Sequence, residues 1–547
     1  MTRSQRLTLV ATILGTGVAF LDMTVVNVAL PAIQEDLDTG LAGQQWVVEA
    51  YMLTLVALLL VGGSLGDLYG RRRLFSIGLI GFAITSVLCA IAPNVELLIA
   101  ARALQGCAGA LLVPGSLAIL AATFEGEARG RAVGLWTAWA GMSTLLGPAA
   151  GGLLIEVDWR WIFWVNVPLL ALTIWMTRVA VTESSDPEAC PGIDTPGIIL
   201  SVVGLGGPVF AMIEQPTRGW GDPIVWAPMA VGIAALAAFV WWESRTPAPM
   251  LPLALFRIRN FVVVNLATLC VYAGLIGGSF FLTIYLQQVS GYSPFEAGLA
   301  TTPITILMFF LSSRFGALAG RIGPRLPMGV GPLIAAVGVA LLARVDRNPN
   351  YLVDVLPGLI PFGVGLAMTV APLTTTVLDS VSERQAGVAS GINNAVARVA
   401  GLLAIAALGA VISAQFASSI DDRVDVGAGG VEIAEAVEEA KAQPFAGANP
   451  QDLRPSVRAE LIEDATASSE SGFRVGMLIA AGLMALGGVI SLIGVRNPER
   501  PTEPESQHVP RAALAGECGR IPAVAEADSP PGSLAGPSQA PAPDPAY

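Results

Sequence analysis

Runs of about twenty apolar residues recur along the chain at 7-30, 46-66, 74-92, 98-122, 131-154, 161-180, 195-214 and 225-242. A second set follows at 261-287, 297-318, 328-343, 351-378, 387-413 and 474-495. Each run is long enough to cross a hydrocarbon core of roughly 30 Å as an α-helix. The pattern therefore predicts an all-α polytopic membrane protein with fourteen transmembrane helices. Composition agrees: of 547 residues, 54% are hydrophobic and 13% charged. That is too little polar surface to cover a water-soluble core.

The first run carries Asp22 and Asn27 and is too long for a cleaved leader, although Ala29-Leu30-Pro31-Ala32 imitates a cleavage site. It is read as a retained helix. Arg3 and Arg6 precede it and place the N-terminus in the cytoplasm by the positive-inside rule. The connections then assigned to the cytoplasm carry Arg71, Arg72, Arg73, Arg129, Arg131, Arg178, Arg245, Arg257, Arg259, Arg321, Arg325 and Arg384. The external ones offer Arg160, Arg218, Arg344 and Arg347. An even number of crossings returns the C-terminus to the cytoplasm, in a multi-pass plasma-membrane (cell inner membrane) protein.

An internal echo divides the helices. Gly63-Ser-Leu65-Gly-Asp67-Leu-Tyr-Gly70-Arg-Arg72 is matched by Gly316-Ala-Leu318-Ala-Gly320-Arg-Ile-Gly323-Pro-Arg325. Both stretches join an outgoing to an incoming helix on the cytoplasmic side, as parallel repeats of six helices would. The expected organisation is an N-terminal six-helix bundle at 1-180, an inserted helix pair with cytoplasmic linkers at 181-259, and a C-terminal six-helix bundle at 260-495. The last includes a long external loop at 415-472, where Glu432, Glu435, Glu438 and Glu439 alternate with Val431, Ile433 and Val437 at the spacing of a short amphipathic helix. Residues 496-547 are rich in Pro, Gly, Ser and Ala and read as a disordered cytoplasmic tail. The net charge of -12 arises mainly from residues 421-470 and this tail, so it says little about the membrane region.

Several chemistries are excluded. Cys89, Cys107, Cys190, Cys270 and Cys518 lack the spacing of a metal site or disulfide framework. The one histidine, His508, lies in the tail, which removes a histidine proton relay, and no metal site is expected. The one lysine, Lys441, lies in a polar loop, so no phosphate-binding loop with its essential lysine exists. No cofactor and no ATP-binding subunit is expected, and any transport must draw on an ion gradient. No Ser-His, metal or nucleotide constellation marks an enzyme, and nothing suggests nucleic-acid binding.

The loop from Gly63 to Arg73 resembles the signature between helices 2 and 3 of the major facilitator superfamily. Further stretches are similar to its fourteen-helix drug:proton antiporters: Leu21-Asp22-Met-Thr-Val-Val-Asn27-Val-Ala-Leu-Pro31, Arg102-Ala-Leu-Gln105-Gly106, and Leu146-Gly147-Pro148-Ala-Ala-Gly151-Gly152. Trp159-Arg160-Trp-Ile-Phe163-Trp-Val-Asn166-Val-Pro168, and Tyr285-Leu-Gln287 through Gly291-Tyr292-Ser-Pro294, match as well. The five occur in the family's order, and the resemblance spans residues 7 to 495.

Asp22 is the acid nearest the middle of a predicted helix, where ionisation without a partner is costly. A carboxyl that stays neutral until opened to water is a proton carrier; the alternative is a satisfied polar residue packing helix 1. Arg102 must be compensated by carboxylate, carbonyl or water, and the resemblance implies a part in proton coupling as against a purely structural hydrogen-bond hub. Gly147, Pro148, Gly151 and Gly152 strip side chains from one helix face, a pattern the resemblance ties to antiporters and to sealing against proton leak. Gly63, Asp67, Gly70, Arg71 and Arg72 form a candidate conformational latch in which Asp67 exchanges charge pairs; in the second copy Gly320 replaces the acid. Asn27, Gln105, Asn265, Gln287 and Asn393 are cavity-lining candidates, with Asn394 and Arg398 beside them, or else polar links between helices. Glu49, Glu156, Glu214, Glu296 and Asp354 fall near segment ends and read as interfacial.

These readings lead to one expectation, a monomeric antiporter in the lipid bilayer that exports small amphipathic drugs or antibiotics against protons by alternating access. The alternatives are a proton-coupled importer, or exporter, of an endogenous metabolite or lipid, and a non-transporting membrane sensor or lipid-processing enzyme.

Overall fold

A computed structural model of the chain describes residues 1-124, 126-185, 194-246, 249, 251-381, 385-424, 426-446 and 455-497. Cys190, Arg384, His508, Cys518 and the tail lie outside them. Among the described residues the chain is all helical. The helices are α1 (Arg3–Leu37), α2 (Leu41–Tyr69), α3 (Arg71–Ala90), α4 (Val95–Thr123), α5 (Gly126–Ile155), α6 (Trp161–Trp164), α7 (Asn166–Ala180), α8 (Thr195–Arg218) and α9 (Pro223–Glu243). Then follow α10 (Arg259–Gln288), α11 (Pro294–Ile322), α12 (Arg325–Leu342), α13 (Leu356–Asp379), α14 (Ala386–Arg423), α15 (Val426–Ala442) and α16 (Pro455–Gly494). Among the described residues twelve helices are long and apolar enough to cross a membrane, thirteen if Leu41–Leu59 and Val61–Tyr69 count as one bent span. The expected count of fourteen is therefore matched only as far as twelve or thirteen; the run 161-180 is divided between α6 and α7, the run 351-378 begins ahead of α13, and α5 covers the run 131-154.

Local chemistry sets the helix ends. Thr2 and Gln5 form a capping box at the start of α1, and Ser293 and Glu296 form another at α11, with Pro294 in its first turn. Asn94, Asp194 and Asp222 accept the first free amides of α4, α8 and α9.

Helices α1 to α7 pack among themselves, as do α10 to α14 with α16. The pair α8 and α9 close on each other where Gly204, Gly207 and Gly232 let the backbones approach. Through α8 the pair leans on α2 and α14. Only 17% of α9's most apolar stretch is buried against 61% of that in α1, so the inserted pair is peripheral. The stretch 415-472 is largely helix: α14 runs on to Arg423, α15 fills its middle, and α16 starts at Pro455.

The echoed loops share one geometry. Gly70 and Gly323 both break the chain with φ of 103° and 89°, a region that glycine alone enters freely. After Gly70, the Glu183 carboxylate accepts from the backbone amides of Arg72 (3.0 Å) and Arg73 (3.2 Å). After Gly323, the Asn497 carbonyl accepts from the amide of Arg325 (3.1 Å). Glu183 follows the last helix of the first group, Asn497 the last of the second. Each group thus ties its last helix to the start of its third.

A Cβ at Gly70 would lie 2.7 Å from Glu183 Oε1. Gly70→Ala is therefore expected to cost about 1–2 kcal/mol from backbone strain alone, plus the clash. Thermal unfolding in detergent should show the clash part vanish in a Glu183→Ala background. Strict additivity of the two changes would refute this contact.

Candidate functional site

The apolar helices enclose one extended polar network. Asp22 on α1 and Arg102 on α4 are each 1% exposed, and Arg102 Nη1 donates to Asp22 Oδ2 at 2.5 Å. The same nitrogen donates to Gln105 Oε1 (2.6 Å), one helical turn on, and Arg102 Nε donates to the carbonyl of Val47 on α2 (3.0 Å). Asp22 Oδ1 accepts from Gln105 Nε2 (3.2 Å) and from Asn166 Nδ2 on α7 (3.0 Å). Ser86 on α3 accepts from Gln105 (3.0 Å) and Asn166 (3.4 Å). The guanidinium carbon lies 4.4 Å from the centre of the Tyr51 ring.

Five helices thus contribute to the network around one ion pair. A buried pair whose remaining hydrogen bonds are made is sustainable, whereas either charge alone is not. The sequence leaves open whether Asp22 and Arg102 meet; in the structure they are paired directly. Gln105 is fully buried inside this network. Asn166, Ser86 and Tyr51 were not singled out as site residues. Asn166 stood within a family-like stretch, while Ser86 had no distinguishing neighbour.

The glycine stretch of α5 faces two ways. Cβ atoms at Gly147 and Gly151 would strike Thr24 and Val25 of α1. One at Gly152 would lie 2.4 Å from Cα of Phe295 at the start of α11, and one at Gly298 of α11 would lie 2.4 Å from the Pro148 carbonyl oxygen. Backbone here meets backbone between the first and second helix groups, at the end remote from the arginine-rich loops. Gln34 on α1 completes the closure at that end, accepting from Gln288 of α10 (2.6 Å) and from Gln44, and donating to Gln443 beyond α15 (3.4 Å). Phe445 then packs on Phe281 and Tyr285.

At the opposite end Asp67 Oδ1 accepts from Arg71 Nε at 2.8 Å, within the loop itself. Gly63 faces Pro114 of α4. Arg72 donates to the Arg178 carbonyl (3.2 Å).

Cavities of contrasting polarity lie along the helices. A polar one of about 650 Å³ at the remote end is lined by Gln34, Glu35, Asp38, Gln287 and Glu439 among others. An apolar one of about 330 Å³ lies between α2, α8, α9, α10 and α14, with Val56, Ala57, Leu205, Phe239, Leu266 and Val396 in its wall. Asn265 lines it and accepts from Asn393 (3.2 Å), so of the candidates Asn265 and Gln287 border cavities, while Asn393 stands behind Asn265. Asn27 is half-buried, its carbonyl oxygen unpartnered among the described residues.

Glu49 corrects the sequence reading. It is 0% exposed, and neither carboxyl oxygen has a hydrogen-bond partner among the described residues. Helix α2 begins at Leu41, before the apolar run, which carries Glu49 from a helix end into the bundle. Glu214, by contrast, accepts from Trp46 (3.4 Å) and Arg218 (2.9 Å) near the end of α8.

A bundle of apolar spans around a buried charge network, with two helix groups meeting at one end, defines a polytopic membrane transporter and not an enzyme. The family model described as the Major Facilitator Superfamily matches residues 12–405, and the chain belongs to that superfamily. It is 37% identical over 428 residues to the multidrug resistance protein Stp of Mycobacterium tuberculosis, covering 78% of this chain and 79% of that one. It is 31% identical over 514 residues to the tetracenomycin C resistance and export protein of Streptomyces glaucescens, covering 93% and 95%. Its fold resembles the crystal structure of a bacterial homologue of the human lysosomal transporter Spinster, described as inward-facing and unoccupied, at a TM-score of 0.62 and 18% identity, covering 91% of this chain and all of that one.

Proposed function

We propose that the chain is a proton-coupled exporter of small amphipathic compounds, crossing the membrane fourteen times with both termini in the cytoplasm and working by alternating access. The observation that carries this reading is the Asp22–Arg102 pair with its ring of donors, buried from both sides. Protonation of Asp22 releases Arg102 from its counter-ion and unbalances a site drawn from α1, α2, α3, α4 and α7. A proton at one carboxylate is thereby converted into altered packing among several helices.

The backbone contact of Gly152 and Gly298 across α5 and α11 supports a state closed on the outside, the arginine-rich loops being cytoplasmic. Substrate from the cytoplasm or the inner leaflet would favour one state and external protons the other. The resistance and export functions printed for the relatives favour a drug or antibiotic as cargo. The working unit is a single chain without cofactor or ATP-binding subunit, in the plasma membrane.

Everted vesicles test this. With an acidic interior established, addition of substrates from a broad drug panel is expected to collapse the pH gradient for at least one compound, and the response should vanish in Asp22→Asn. No response across the panel, or an equal response in Asp22→Asn, would overturn the coupling.

A further inference from the structure

The polar network described above leaves one cation of the helical interior unused. Arg398 stands about 18 Å along α14 from its start at Ala386. Its side chain crosses from the second helix group to the first. Nη1 approaches Met23 Sδ of α1 at 3.9 Å, and the guanidinium carbon lies 5.8 Å from the centre of the Phe20 ring on the same helix. A thioether sulfur is a weak acceptor, so most of the five N–H donors of the fork are unmet among the described residues. The side chain is half-buried, and the charge cannot be shed. At this depth an unmatched guanidinium is costly and calls for a counter-ion.

The acids of the neighbouring helices do not supply one. Asp22, one residue before Met23, turns to Arg102 instead. Neither carboxyl oxygen of Glu49 accepts from any described residue. The ionisable groups within electrostatic reach of Arg398 are the hydroxyls of Tyr51 on α2 and Tyr272 on α10, which are neutral at pH 7. A polar stripe leads to the guanidinium: Ser390, Asn394 and Arg398 recur every four residues along α14, with Asn394 exposed and donating to the Ser390 carbonyl (3.0 Å). Arg398 lies about 100° around α14 from Val399, which lines the apolar cavity, so this stripe is a separate surface.

We infer that Arg398 recognises an acidic head group on the cargo: the ligand is a lipophilic monoanion whose carboxylate is held by the guanidinium fork while its apolar body rests against Phe20 and Met23. The inference rests on the export reading and gives it a substrate class. A carboxylate accepts two parallel N–H···O bonds from such a fork and brings the negative charge that the protein withholds. The loaded site is then neutral, which removes the cost of the unmatched cation. Ser390 and Asn394 mark the side from which the head group arrives. The coupling proton is carried elsewhere, by Asp22, whose carboxyl points away toward Arg102. Anion and proton therefore do not compete for one group.

The test uses the purified full chain and two fluorescent probes of like shape, pyrenebutyrate and its neutral amide, measured by equilibrium dialysis at pH 7. The wild type is expected to prefer the carboxylate. Arg398→Gln should weaken pyrenebutyrate binding about tenfold or more and leave the amide unchanged, which also shows that the variant is folded. Arg398→Lys keeps the charge without the fork and should retain part of the preference. A wild type that binds both probes equally, or binds neither, would overturn the inference, as would undiminished pyrenebutyrate binding in Arg398→Gln. If Arg398→Gln loses both probes, Arg398→Lys decides: a partial preference supports the fork, and no preference overturns it. Arg398-dependent binding without gradient collapse in vesicles would count against proton-coupled export alone. Gradient collapse by other drugs without Arg398-dependent binding would count against this inference alone.

Discussion

Neutralising Asp22 and Arg102 together is expected to restore the stability that either single change removes, without restoring transport. Asp22→Asn leaves the guanidinium with the Gln105 side chain and the Val47 carbonyl but no counter-ion. Arg102 cannot shed its charge, so the loss should reach the range of about 3–5 kcal/mol seen when a buried pair is broken from one side. Arg102→Gln should cost less, because Asp22 can take up a proton and still accept from Gln105 and Asn166. The double variant holds no buried charge at this place. Substituting a buried pair by neutral groups is frequently close to neutral in stability.

Thermal unfolding of the four proteins in one detergent measures the stability cycle, and reconstituted liposomes measure drug-driven proton flux. All three variants should fall to the level of empty liposomes. A double variant that still exchanges protons for drug would show the pair to be structural only. Singles as stable as the wild type would show instead that the charges are compensated elsewhere.

How much of this site was legible beforehand follows from residue type. Asp22 and Arg102 stand out because ionised side chains inside apolar runs are expensive and so rarely incidental. Their direct contact does not, since it joins positions 80 residues apart. Ser86 and Asn166 are ordinary polar residues of membrane helices, and only three-dimensional convergence makes them ligands of Asp22 and Gln105. Glu49 was misjudged for a local reason: the apolar run starts at Trp46, whereas the helix starts at Leu41 and takes in Gln44 and Gln45. Hydropathy locates the lipid-facing length of a helix, not its hydrogen-bonded ends. The echoed loops were visible through Gly70 and Gly323, but the carboxylate and amide that clasp them come from 111 and 172 residues away. The glycines of α5 were visible as a small-residue face, and their partner α11 was not.

That partner makes Gly152 the second position of large expected effect. A Cβ there would lie 2.4 Å from Cα and 2.7 Å from the backbone nitrogen of Phe295, so no side-chain rotation relieves it. The helices α5 and α11 must separate. Since they belong to different helix groups, Gly152→Val should leave each group folded while removing the state in which their remote ends touch. A cysteine placed at Gln288, with the native cysteines replaced by serine, should then become more reactive toward a membrane-impermeant maleimide applied from outside. Passive decay of a pH gradient across proteoliposomes should also quicken. Gly298→Ala is expected to act in the same direction, because its Cβ would meet the Pro148 carbonyl oxygen at 2.4 Å. Gly134→Val supplies the control: it lies on α5 too, with nothing within 4 Å of the added carbon. If Gly152→Val and Gly134→Val label and leak alike, the α5–α11 contact does not close the transporter. If only Gly152→Val opens the outside, a bare patch of α5 backbone sets which side of the membrane the cavity faces.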